Sequence, residues 1–231
     1  MEFRNILKLI FLMFIIVFIT ACSVNTENEN TTYNSIEEID KDEKTVEYKR
    51  EEISEKLLHR VGQIVQAIYN NNLILINEKF INPKFGFYNL YKVDGIKTFT
   101  YQKFIYNIQD SQSEEISDLI SEIEELDEPF DIKLEEVSFD CSPNNDEFYG
   151  WNKDGIFLNS NTNKYLTNIM FESNKYEKNR YKKADFREAK FIEKTSYKVI
   201  VTPDIVFYVS KIDEEWYISL FDRITSDCST S

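Results

Sequence analysis

Four closely spaced segments near the C-terminus, residues 186–193, 197–202, 205–212 and 216–223, are rich in Val, Ile, Phe and Tyr. They are separated by turn residues such as Pro203-Asp204 and Asp213-Glu214-Glu215. β-Branched and aromatic side chains suit a pleated, half-buried surface, and consecutive strands joined this tightly pair antiparallel. This run commits the chain to a sheet, and the residues before it must supply the layers that cover it.

Those earlier residues alternate helix and strand patterns. Ile53, Leu57, Val61, Ile64, Val65 and Ile68 recur at the spacing of one helical face and predict a helix starting near Val46. Asn70-Asn71-Asn72 ends it, and residues 73–80 predict a short second helix that stops before Pro83. Residues 86–91 and 96–104 flank Val93-Asp94-Gly95, whose Asp-Gly pair is a strong hairpin signal. Residues 113–126 predict a helix with Ile116, Leu119, Ile120 and Ile123 on one face and carboxylates on the other. That acidic face lacks the alternating ligands and turn glycine of a calcium loop and reads as solvated. Residues 132–139 predict a strand leading into Cys141, and residues 163–181 a helix burying Tyr165, Leu166, Ile169 and Met170. The order gives an α+β domain, with helices on one face of a curved antiparallel sheet.

The N-terminus carries an address. Arg4 and Lys8 precede the apolar run 9–19, which at about eleven residues suits a signal h-region and falls short of the roughly 20 that span a bilayer. The run closes on Ile19-Thr20-Ala21-Cys22, which resembles the lipobox of bacterial lipoproteins. That resemblance implies a signal peptide over 1–21, lipidation of Cys22, and an anchor that holds the chain to a membrane without spanning it. It also implies the cell envelope, and Ser23 after the cysteine is similar to the pattern sorted to an outer membrane where the host has one. Residues 22–45, dominated by Asn, Thr, Glu and Asp, cannot bury enough to offset their ordering entropy and read as a flexible tether. Residues 46–231 are left as one domain.

Charge and cysteines follow from that placement. The chain has 41 Asp and Glu against 27 Lys and Arg, a net charge of -14. This argues against nucleic-acid partners and against electrostatic docking on anionic lipid. With Cys22 taken by lipid, Cys141 and Cys228 remain as an even pair in an oxidising compartment and predict a disulfide.

The helix and following segment over 64–88, with NNNLILINEKFINPKFGFY, and the closing KIDEEWYISLFDRI resemble NTF2-like domains and the envelope lipoproteins that share their helix-then-sheet layout. The resemblance implies a cone-shaped sheet whose mouth holds a small ligand. The helices at 113–126 and 163–181 are insertions on that pattern. The same scaffold serves enzymes and binding proteins, so residues must decide between them.

Few residues offer chemistry. The single histidine, His59, lies about 200 degrees from Leu57 around the helix, on its outer side. Ser-His-Asp or Cys-His catalysis would need it, and no His or Cys spacing suits a zinc site. No cofactor or metal is therefore expected. Tyr149, Trp151 and Trp216 are the candidate ligand-facing rings, although for the segment 148–155, with no nucleophile-base pair nearby, tight turns that cap a core are the favoured reading. The expectation is a non-catalytic envelope module that binds a small ligand, a cell-wall fragment or another envelope protein. The alternative is an NTF2-like isomerase or hydrolase using a carboxylate buried in the cone.

Overall fold

A computed structural model of the protein describes residues 47–105, 130–141, 150–203 and 205–228, all within one compact unit, Lys44–Ser231. The expected signal peptide, Cys22, the tether, the acidic helix over 113–126 and Tyr149 lie outside the described residues.

Helix α1 spans Glu55–Tyr69, and α2, Leu73–Leu75, runs into a π-helical turn, Ile76–Phe80. The hairpin β1 (Phe87–Val93) and β2 (Ile96–Gln102) follows, then the short strands β3 (Ile132–Lys133), β4 (Phe139–Asp140) and β5 (Gly150–Trp151). After β6 (Ile156–Ser160) come helices α3 (Tyr165–Tyr176) and α4 (Lys183–Thr195), and the strands β7 (Tyr197–Val201), β8 (Ile205–Ile212) and β9 (Glu215–Asp222). Seven strands form one sheet in the order β2-β1-β9-β8-β7-β6-β3, and β4 pairs with β5 separately.

Local chemistry sets the boundaries. The Ser54 hydroxyl accepts from the Leu57 N–H at 3.3 Å and caps α1, so the helix begins later than the apolar pattern suggests. Ile53 falls before that cap and is 38% exposed, off the buried face to which its spacing assigned it. Asn71 takes a φ of 49°, and the N–H groups of Asn70, Asn71 and Asn72 close the last turn on Gln66, Ile68 and Ala67 carbonyls. At the hairpin, Asp94 (φ 50°) and Gly95 (φ 77°) both sit in the left-handed region that a two-residue turn needs, which sets Val93 opposite Ile96.

Residues 186–193, expected as a strand, lie within α4. Phe186, Ala189, Ile192 and Glu193 are buried at three-and-four spacing. The aromatic content of the segment mimics a strand, but Arg187, Glu188, Ala189 and Lys190 are strong helix formers and the helical period wins. Asp185 reinforces the start by accepting from the Lys182 N–H at 2.6 Å.

The helices cover both faces of the sheet, not one. Along β8, Ile205, Phe207 and Val209 pack with α1 and the π-turn, while Val206 and Tyr208 pack with α3 and α4. Strand β7 divides in the same way, Val199 and Val201 against Ile200. A strand buried on both sides loses the alternation of apolar and polar residues that would have revealed its covered face. The sheet is also not wholly antiparallel: β1 runs parallel to β9, and β3 parallel to β6.

A β-bulge keeps β9 in phase. Tyr208 pairs with Leu220 and Val209 with Ile218, so Ser219 is the extra residue. Without it Ile218 and Leu220 would share a face; with it Ile218 joins the α1 side and Leu220 the α3–α4 side. Ser219 is fully buried, and its hydroxyl lies 2.8 Å from that of Ser210, also fully buried.

Two ties fasten the ends. Cys141, just after β4, is disulfide-bonded to Cys228 beyond β9, with Cα atoms 5.3 Å apart and a sequence separation of 87. Residues 47–54 form an extended strap. In it Arg50 donates through Nε to the Ser196 carbonyl at 3.1 Å and through Nη2 to the Asn161 carbonyl, with its guanidinium 5.6 Å from the Tyr197 ring centroid. The Tyr197 hydroxyl in turn donates to the Glu51 carbonyl.

Candidate functional site

On the outer side of α1, a groove of about 760 Å³ runs between that helix, the α2 and π segment, and residues 130–132. This volume is within the range of small-ligand and peptide sites. His59, Gln63, Gln66 and Asn70 line one wall, following a 4-3-4 spacing that stacks them along one stripe of α1. The stripe lies beside the apolar face of Leu57, Val61, Ile64 and Ile68, so one helix serves core and groove together. Leu58, Leu75, Phe130 and Ile132 give the groove its apolar patches.

Part of the wall is held in place. Gln63 Nε2 donates to His59 Nε2 at 3.1 Å. Arg60 donates through Nε to the Trp216 carbonyl at 3.1 Å, lies 3.5 Å from a Glu215 carboxylate oxygen and stacks 5.1 Å from the Phe80 ring centroid. Other groups are unengaged: among the described residues the side chains of Gln66, Asn70, Lys79 and Asp131 make no internal hydrogen bond or ion pair. Among the described residues Asp131 is the one carboxylate that lines the groove, together with the cations Arg60 and Lys79.

Two of the expected ring residues, Trp151 and Trp216, are elsewhere. Trp216 is 2% exposed and packs edge-on to Tyr197 at 5.9 Å, so it touches the groove only through the carbonyl that positions Arg60. Trp151 is buried against Phe139 at 5.0 Å, and its indole N–H donates to the Pro203 carbonyl. That makes it a fastener between the small sheet and the β7–β8 turn. His59 is exposed on the outer side of α1, where its angle from Leu57 puts it, and it lines the groove. The amide stripe was visible as spacing, but a polar stripe on an amphipathic helix ordinarily marks solvent.

The buried carboxylates Asp222 and Glu193 and the half-buried Glu188 lie away from this groove and are occupied. Asp222 accepts from the Ile224 and Thr225 N–H groups at 3.0 and 2.9 Å and from the Tyr208 and Thr225 hydroxyls at 3.1 and 2.6 Å. Lys198, whose amine burial pushes below its ordinary value, lies 3.4 Å from the Thr225 hydroxyl at the edge of this cluster. Glu193 is taken by Thr167, and Glu188 accepts from the Tyr88 hydroxyl at 2.7 Å. Burial raises Glu188 above the carboxylate range against the pull of that bond, and pushes the Tyr88 hydroxyl upward as well. Among the described residues no three His, Cys, Asp or Glu side chains gather as a metal site, and no helix is long and apolar enough to cross a membrane.

Comparison with protein-family models, with curated proteins and with solved structures finds no match for this chain. Fold and groove together define a mixed α+β protein with a large, mostly antiparallel sheet and a surface groove of mixed polar and apolar lining.

Proposed function

We propose that the protein is a non-catalytic binding module of the cell envelope, held to a membrane by lipid on Cys22 and taking its ligand in the groove along α1. The observation that carries this reading is the makeup of the groove. Its amides, cations and apolar patches are suited to holding a ligand, and among the described residues no pair of carboxylates lines it to share acid and base roles. The NTF2-like resemblance belongs to the same reading, with one change of place. Leu57, Val61 and Ile64 fill the sheet face beneath α1 together with Phe207 and Trp216, so the ligand is assigned to the outer side of the helix and not to a hollow in the sheet.

The test uses the full chain in a bacterial host supplied with labelled palmitate, followed by retention of the detergent-solubilised protein on washed envelope material. Wild-type protein should carry label and be retained, and Cys22→Ala should lose the label. A Gln66→Ala/Asn70→Ala variant should keep the label and lose retention. Label persisting on Cys22→Ala would refute the anchor. Retention unaffected by the double substitution would refute the groove.

A further inference from the structure

The groove also constrains what kind of ligand fits it. Gln63, Gln66 and Asn70 follow one another at about one helical turn, roughly 5.4 Å of rise. Each side-chain amide offers two donors and an acceptor, the complement of a peptide N–H and C=O. An extended peptide presents such groups along its whole length and turns alternate side chains to one side, about 6.7 Å apart, where Leu58, Leu75 and Phe130 provide apolar seats. Sugar rings would need broad aromatic faces, and here Phe80 is 3% exposed beneath Arg60 while Phe130 packs toward Gly62.

Charge gives the second constraint. The chain carries a net charge of -14, yet among the described residues the groove is lined by Arg60 and Lys79 against Asp131. Arg60 shares part of its charge with Glu215 at 3.5 Å, whereas Lys79 has no acidic partner among the described residues. A locally cationic site on an acidic molecule selects anions, because the rest of the surface repels them.

Building on the binding-module reading, we infer that the groove receives an extended acidic segment of a partner protein. Gln66 and Asn70 hydrogen-bond its backbone, and Lys79 opposes a carboxylate of that segment.

Fluorescence anisotropy on the full chain in detergent, with labelled decapeptides of alternating Glu and Val, Lys and Val, or Ser and Val, tests this directly, with a labelled chito-oligosaccharide as a fourth probe. The Glu-Val peptide should bind saturably and best. Gln66→Ala/Asn70→Ala should weaken it ~10-fold, and Lys79→Glu should shift preference to the Lys-Val peptide. All three positions are on the groove wall, so circular dichroism should match wild type. If the double variant fails to fold, the Lys79→Glu result decides by itself. Equal binding of Glu-Val and Ser-Val peptides, or an unchanged order in Lys79→Glu, overturns the inference. Tight binding of the oligosaccharide alone overturns it too while leaving the binding module intact. Progressive cleavage of any probe, read by mass spectrometry, would instead sink the non-catalytic reading beneath it.

Discussion

Glu193 on α4 accepts two hydrogen bonds from Thr167 on α3, from its N–H at 2.9 Å and its hydroxyl at 2.8 Å, and so joins the two helices. Burial raises the Glu193 carboxyl above its ordinary range, and the Thr167 bonds oppose that shift. The folded state therefore holds this proton more tightly than the unfolded chain does. Its contribution to stability is complete below the ordinary Glu value of about 4.3 and is lost as pH rises through the raised folded value. Glu193→Gln keeps an acceptor for the Thr167 N–H, can donate to the hydroxyl, and does not titrate. In urea unfolding it should gain on wild type as pH rises above the ordinary Glu value of about 4.3; a gap that stays constant with pH would exclude the effect. Glu193→Ala should cost ~1–3 kcal/mol by stranding both Thr167 groups.

The buried hydroxyls of Ser210 and Ser219 should be strongly non-additive. Ser219→Ala takes away the partner of the Ser210 hydroxyl, and Ser210→Ala leaves Ser219 its longer bond to the Tyr208 carbonyl at 3.3 Å; each should cost about 1 kcal/mol, while the double substitution should cost less than the sum. The cycle is measured by chemical denaturation, and strict additivity would mean that the 2.8 Å contact contributes nothing.

Breaking the Cys141–Cys228 bond frees a loop of 87 residues in the unfolded state. The chain-entropy estimate puts the resulting loss near 4–5 kcal/mol for Cys141→Ser or Cys228→Ser. In a Cys22→Ala background, unfolded oxidised protein should show no titratable thiol and should shift in gel mobility on reduction. Finding two free thiols would refute the bond in the isolated protein.

Arg50 binds two backbone carbonyls with a planar fork and stacks on Tyr197, geometry that an ammonium group cannot reproduce. Arg50→Ala should cost ~1.5–3 kcal/mol, and Arg50→Lys should recover little of it. Limited proteolysis should then cut within residues 47–54 sooner than in wild type. Full rescue by lysine would show that charge alone holds the strap.

Much of this architecture can be read from residue pattern, for reasons that differ by element. Strand Ile205–Ile212 and the face of α1 have strong apolar signals that nothing local contradicts. The Asp94-Gly95 turn is a demand of backbone geometry, and the cysteine pair follows by elimination. Strand order was out of reach, because the partnership of Tyr88 with Leu220 depends on contacts far apart along the chain. The two-sided cover of the sheet was hidden by strands apolar on both faces, and α4 by rings that suit either structure. The groove was missed for a subtler reason: Gln63, Gln66 and Asn70 have the residue types of a solvated helix, and only the nearby π-turn and Phe130 give them a facing wall.

The parallel joint between β1 and β9 has a consequence for the order of events. During synthesis the β1–β2 hairpin emerges early, yet its inner edge finds its neighbour only when β9 arrives, so completion of the sheet waits on that strand. A premature stop before Glu215 would not trim an outer strand. It would cut the sheet through its middle, leaving the hairpin and β8 each with an unpaired edge open to other chains.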